Sequence, residues 1–209
     1  MEHLGYALTP ELSQEAFDRD KEELLNGFNP RYVVIEEERA PDGCMGLFRV
    51  TVKAKSWIVT SEADVSPRQV AKQVFYIKVY ENYPAIAPKV YFAPNCRLAH
   101  VNTHRNGVQC IDKWGRYSSL LSVAEKTIRA CIYDENVTKY ESKACSSLET
   151  WQKNMAAKKA FPTIDPPDLI LRSNAGREPA AKLPPPLPGG QPKAEPKRTP
   201  LPPPLPGRR

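Results

Sequence analysis

The feature that most constrains this chain is an abrupt change in composition near Phe161. Fifteen of its 22 prolines fall within the last 49 residues. Proline lacks a backbone donor and clashes in a helix interior, so such a segment sustains neither helix nor interior sheet. A packed core is therefore expected within residues 1–160, with residues 161–209 forming a disordered Pro-rich tail. Inside that tail, LPPPLPGG (183–190) and LPPPLPGRR (201–209) are a near repeat. Their apolar residues fall at polyproline spacing with basic residues alongside. Two readings stand: a ligand, over residues 183–209, for a polyproline-reading partner, or a semi-rigid solvated spacer.

The remaining 160 residues suffice for one domain with a real core. The formal charge of +6 divides unevenly. Residues 161–209 hold eight Lys and Arg against four Asp and Glu, a surplus of +4 that leaves +2 for the body. A nearly neutral body does not predict nucleic-acid binding. No run of eighteen apolar residues occurs, and the first residues are acidic without the basic-then-apolar order of a secretory signal. The expectation is a soluble, cytoplasmic chain that engages no membrane. Cys44, Cys96, Cys110, Cys131 and Cys145 are odd in number and form no CxxC pair. That is a poor disulfide framework and fits a reducing compartment.

The pattern before Phe161 predicts a helix over residues 11–25, with Thr9 as N-cap, Pro10 at its first position and Gly27 as its stop. Residues 31–38, 47–59 and 72–80 are rich in β-branched and aromatic residues and read as strands joined by short turns, with 89–92 as a brief fourth. Helical periodicity returns over residues 118–133 and 139–159. Helix, antiparallel meander, then helices defines the α+β class. Order alone names no function.

Chemistry concentrates in YPAIAPKVYFAPNCRLAHVNTHRNGVQCID, residues 83–112. Prolines, histidines, asparagines and two cysteines crowd a stretch that suits no regular element, and long loops of this kind inside compact domains are usually functional. Tyr83-Pro84, Pro88-Lys89-Val90, His100-Val101-Asn102, Asn106-Gly107 and Cys110-Ile111-Asp112 occur in order, with Asn102 and Cys110 eight residues apart. This series resembles the active-site region of ubiquitin-conjugating enzymes. In that family a Tyr-Pro-x-x-x-Pro-Lys-Val stretch precedes a His-Pro-Asn motif and, eight residues past its asparagine, the catalytic cysteine in Asn-Gly-x-x-Cys-Leu-Asp. The likeness in element order spans roughly residues 10–155, and ACSSLETWQKN (144–154) resembles the family's third helix. Its divergence is similar to that of prokaryotic relatives.

The resemblance implies a UBC-like fold and an acyltransferase without a cofactor. Cys110 would accept a ubiquitin-like protein from an activating enzyme as a thioester and pass it to an amine on an acceptor protein. A thiolate attacks another thioester at little thermodynamic cost. When the amine attacks in turn, charge develops on the carbonyl oxygen, and the resemblance assigns its stabilisation to the amide of Asn102. His100 is by residue type a general base and by resemblance a residue that orders the turn. Asp112, Asp134 and Glu141 are candidate helpers in proton removal and equally ordinary loop or helix-end carboxylates. Val101 stands where the family has proline. The family's tryptophan beyond the cysteine is replaced by Trp114, earlier, or by Tyr117 near its place.

Other readings remain at this point. Cys96, His100, His104 and Cys110 form a Cys-His-His-Cys series that suggests a zinc-stabilised interaction domain. Cys110 with His100 or His104 suggests a cysteine hydrolase. A non-catalytic scaffold of the same fold is a third. Cys131 and Cys145, in apolar helical context, are expected to pack as small hydrophobes, and Trp57, Phe75, Phe92 and Trp151 are expected in the core.

Overall fold

A computed structural model describes residues 9–60, 66–111, 114, 115, 118–162, 164 and 166–171. Asp112, Tyr117 and both proline repeats, with the polyproline-partner expectation attached to them, lie outside the described residues.

The chain opens with α1 (Pro10–Asn26), begun by Pro10 at its first position, with the Thr9 hydroxyl accepting from the Leu12 N–H, and ended at Gly27. These are the signals read from the sequence. A side chain at Gly27 would meet the Glu23 carbonyl and Leu121 at about 2.4–2.6 Å, so close helix packing there requires glycine.

Strands β1 (Val33–Glu38), β2 (Cys44–Val52), β5 (Gln73–Tyr80) and β6 (Lys89–Phe92) form a four-stranded antiparallel sheet in that spatial order. Period-two alternation sends Phe48, Val50, Val52, Phe75, Ile77, Val79, Val90 and Phe92 into the core. The α+β class is as expected, with a sheet of four antiparallel strands between an N-terminal helix and C-terminal helices.

The stretch read as one strand over 47–59 is two. The chain leaves the first sheet after Val52, where the Lys53 N–H donates to the Tyr32 carbonyl, and re-enters as β3 (Ser56–Val59). With β4 (Arg68–Val70) and β7 (Arg97–Leu98) it builds a second, three-stranded sheet. All four β3 residues are buried, so the alternation that marks a half-exposed strand is missing there.

Helix α2 (Leu120–Cys131) is closed at its start by a reciprocal Ser119/Ser122 capping box and buries Leu120, Val123, Ala124 and Ile128. The helix expected over 139–159 is α3 (Glu149–Ala157) alone, preceded by single 3₁₀ turns at Glu135–Val137 and Ser146–Leu148. Residues 138–145 are instead irregular, and the site explains why.

Packed residues continue past the boundary expected at Phe161. Phe161 stacks on Tyr133 with centroids 3.9 Å apart and meets Trp57 and Trp151 edge-on. A short helix α4 (Pro166–Leu169) follows, and Leu169 is 2% exposed. The Asn29 N–H donates to the Leu169 carbonyl and the Leu171 N–H to the Gly27 carbonyl, both at 2.9 Å. Proline density masked this: Pro166 and Pro167 stand at the start of a helix, where a missing N–H costs nothing. Among the described residues no helix is long and apolar enough to cross a membrane.

Candidate functional site

The site is built on the chain that leaves β7. The Ala99 N–H donates to the Trp57 carbonyl, which anchors the segment to β3, and a turn closes with the Thr103 N–H on the His100 carbonyl at 3.0 Å. A small hairpin follows. Its tip is Asn106-Gly107, where the Asn106 carboxamide accepts from the Val108 N–H at 3.1 Å and Gly107 takes φ +84°. A Cβ at Gly107 would lie 2.9 Å from the Phe92 carbonyl, so both the backbone conformation and the close approach require glycine. The returning arm runs beside β6, with the Phe92 N–H on the Gly107 carbonyl and the Gln109 N–H on the Val90 carbonyl. Thr103 Oγ1 donates to Gln109 Oε1 at 2.7 Å, tying the two arms together.

Cys110 ends that arm with an exposed, free thiol. Its N–H donates to the Asn102 carbonyl at 2.9 Å. The eight-residue spacing is therefore a physical one: a hairpin folds back and places the cysteine backbone against the asparagine.

Asn102 is 5% exposed. Its Oδ1 accepts from the Lys139 N–H at 2.9 Å, while Nδ2 donates to the Lys139 carbonyl at 3.0 Å and the Ser142 carbonyl at 3.4 Å. One side chain thus mimics a strand partner for residues 139–142 and holds them irregular.

His100 is completely buried. Its Nδ1 accepts from the Asn102 N–H at 3.1 Å, which places the proton on Nε2, 3.1 Å from Thr138 Oγ1. The threonine hydroxyl in turn donates to the Asp134 carbonyl at 3.2 Å. Burial holds the imidazole pKa down to about 3, so the ring is neutral with both nitrogens engaged. That arrangement orders a turn and offers no base to a reacting group.

Asp134 accepts from Arg129 Nε at 2.6 Å and caps the following 3₁₀ turn through the Asn136 N–H. Burial opposes its charge, but the bonds from Asn136 and Arg129 outweigh it and leave the carboxyl below its usual range. It is committed to structure. Glu141 is exposed on the irregular segment that Asn102 holds. Trp114 is half-buried, donates its indole N–H to the Pro84 carbonyl at 2.7 Å and packs on Tyr83.

Among the described residues no three or more His, Cys, Asp or Glu side chains gather where they would hold a metal ion. Cys96, His100, His104 and Cys110 are all described, and His100 has no lone pair to give. The Cys-His-His-Cys series therefore does not assemble as a metal-ligand set among the described residues.

Two features escaped sequence reasoning. Tyr83 is 1% exposed and its hydroxyl donates to the buried carboxylate of Asp20 on α1; Asp20 shares the buried face of that helix with Phe17 and Leu24. Cys145 is buried, as expected, but it is no simple hydrophobe. Its sulfur lies 3.3 Å from Ser147 Oγ and 3.7 Å from Nη1 of the buried Arg97. Burial pushes this thiol up, yet the Ser147 and Arg97 contacts more than offset it and leave it below the usual thiol range. Cys131 shows the plain case, pushed well up by burial alone.

Fold and site together define an α+β domain that presents one exposed cysteine from a hairpin, backed by a buried His-Val-Asn turn. No protein-family model matches the chain, and no curated protein matches it. Among solved structures, Ubc12 of S. cerevisiae aligns with a TM-score of 0.44 at 17% identity, covering 69% of this chain and 71% of that one.

Proposed function

We propose that this chain is a conjugating enzyme that carries a ubiquitin-like protein as a thioester on Cys110. The observation that carries the reading is the pairing of the Cys110 N–H with the Asn102 carbonyl at the end of the Asn106-Gly107 hairpin, in a residue whose thiol is exposed. The motif order in the sequence supports it.

In the first step the Cys110 thiolate attacks the carbonyl carbon of a thioester on an activating enzyme. The new C–S bond forms as the old one breaks, and the leaving thiolate takes up a proton. In the second step an acceptor amine attacks the same carbon, nitrogen replaces sulfur, and the proton lost by the amine balances the departing thiolate. The partners are a ubiquitin-like protein, its activating enzyme and an acceptor protein.

Asn102 holds the turn and residues 139–142 in the resting site. Its 3.4 Å contact to the Ser142 carbonyl is the weakest of its three bonds, and the proposed role requires an oxyanion formed at Cys110 to compete for that hydrogen. His100 orders the turn. Asp112 and Glu141 are the carboxylates left for proton removal.

The test is incubation of the full chain with an activating enzyme, ATP and a ubiquitin-like protein. A thiol-sensitive adduct forms on the wild type and is absent from Cys110→Ala. An adduct that persists in Cys110→Ala refutes the site.

A further inference from the structure

Val101 lies between His100 and Asn102 and is fully buried. Its carbonyl accepts two N–H groups, from Ala144 at 2.7 Å and Cys145 at 2.8 Å. Its own N–H donates to Oε1 of Gln152 at 3.0 Å. Gln152 is 1% exposed and is the buried residue of α3. A buried carboxamide needs partners at both ends. Gln152 also acts electrostatically on the hydroxyl of Tyr140, within the segment that the Asn102 side chain holds.

We infer that Gln152 is a positioning residue for the turn that carries Asn102 and backs Cys110. The inference rests on the thioester reading for its kinetic consequence. The path is short and covalent or hydrogen-bonded at each link: Gln152 holds the Val101 N–H, Val101 is bonded to Asn102, and the Asn102 carbonyl holds the Cys110 N–H. Three residues of a turn have no regular lattice to set their dihedrals, so partners set them. Here α3 supplies the partner from 51 residues away. Removing the acceptor leaves a buried N–H unpaired, and the turn relaxes toward any arrangement that restores a partner.

The Val101–Gln152 bond has a distinctive genetic signature. Val101→Pro removes the donor and orphans the Gln152 oxygen. Gln152→Met keeps the length of the side chain, removes the acceptor and orphans the Val101 N–H. The double variant contains neither orphan, so the two substitutions offset one another.

The experiment uses the full chain and has two arms. In the first, amide exchange at Val101 is compared among wild type, Gln152→Met and Gln152→Glu, whose carboxyl oxygen still accepts. Exchange is expected about tenfold faster in Gln152→Met and within about threefold of wild type in Gln152→Glu, the change that loss of one net hydrogen bond produces. In the second, single-turnover discharge of the Cys110 thioester to an amine falls about tenfold in Gln152→Met while charging stays within about twofold, and Val101→Pro combined with Gln152→Met recovers discharge to within about threefold of wild type. Unchanged Val101 exchange in Gln152→Met overturns the inference. So does a double variant that loses as much as the two singles together. If the proline variants fail to fold, the exchange arm and Gln152→Glu decide the matter. If the wild type carries no thioester, the conjugating-enzyme reading fails, while the exchange arm still judges Gln152.

Discussion

Asn102 and Lys139 are joined twice, once from the Lys139 N–H to Oδ1 at 2.9 Å and once from Nδ2 to the Lys139 carbonyl at 3.0 Å. A side chain that pairs with another residue's backbone in both directions substitutes for secondary structure. Asn102→Ala is therefore expected to lower unfolding free energy by about 2 kcal/mol, the net worth of two buried hydrogen bonds. Chemical denaturation measures it. Asn102→Asp keeps the acceptor but sets a carboxylate against two carbonyls, and it is expected to be at least as destabilising. A stability within about 0.5 kcal/mol of wild type in Asn102→Ala contradicts the structural part of this account.

Acid should undo the same turn. His100 is held neutral down to about pH 3 in the folded chain, whereas a histidine in an unfolded chain protonates near ~6.5. Between those values the unfolded state binds the extra proton, so stability falls as pH falls, by up to about 1.4 kcal/mol per unit. Asp134, whose carboxyl is depressed, adds a loss of the same sign at lower pH. Urea midpoints recorded from pH 7 to 4.5 should decline in wild type. In His100→Asn the decline should be shallower by the histidine's share; an identical slope in both would show that His100 is not the group responsible.

Gly107 is predicted to reject any side chain. At φ +84°, with the Phe92 carbonyl 2.9 Å from where a Cβ would stand, Gly107→Ala adds backbone strain of about 1–2 kcal/mol and a clash against strand backbone. Thermal unfolding should register a loss exceeding 1 kcal/mol, and Asn106→Ala, which forfeits only the bond to the Val108 N–H, should lose about 1 kcal/mol or less.

Much of this domain was legible in the residues. Thr9, Pro10 and Gly27 bracket α1 because caps and stops act locally, and the alternation along β2 and β5 reports a sheet with one face in the core. The hairpin before Cys110 was not read from the sequence, where residues 83–112 suit no regular element, although Asn106-Gly107 is a local turn signal. What was not legible depends on distant partners. The β3 residues are buried on both sides and show no period. Residues 138–145 have helical composition but are held open by Asn102, some forty residues earlier. The inward-facing Asp20 makes sense only once the Tyr83 hydroxyl reaches it.

The C-terminal boundary is a further consequence. Ending the chain after Ala160 removes the Phe161 ring from Tyr133 and Leu169 from the core, a loss expected to reach about 4 kcal/mol from deletion of two large buried or half-buried side chains. Ending it after Ser173, two residues past the last described position, is expected to cost less than about 0.5 kcal/mol. Melting curves of the two truncations compared with the full chain distinguish this boundary from one at residue 160; equal curves for both would restore the earlier position.

The most direct test of the central claim is the attachment site of a ubiquitin-like protein. Each of the five cysteines is replaced singly in the full chain, and the variants are charged with an activating enzyme and ATP, then read by intact mass before and after a reducing thiol. The account predicts a thiol-sensitive adduct on wild type and on the Cys44, Cys96, Cys131 and Cys145 variants that fold, none on Cys110→Ala, and a thiol-resistant oxyester on Cys110→Ser, because an alkoxide leaves less readily than a thiolate. An adduct that survives in Cys110→Ala, or that disappears instead with Cys96→Ala, would contradict it.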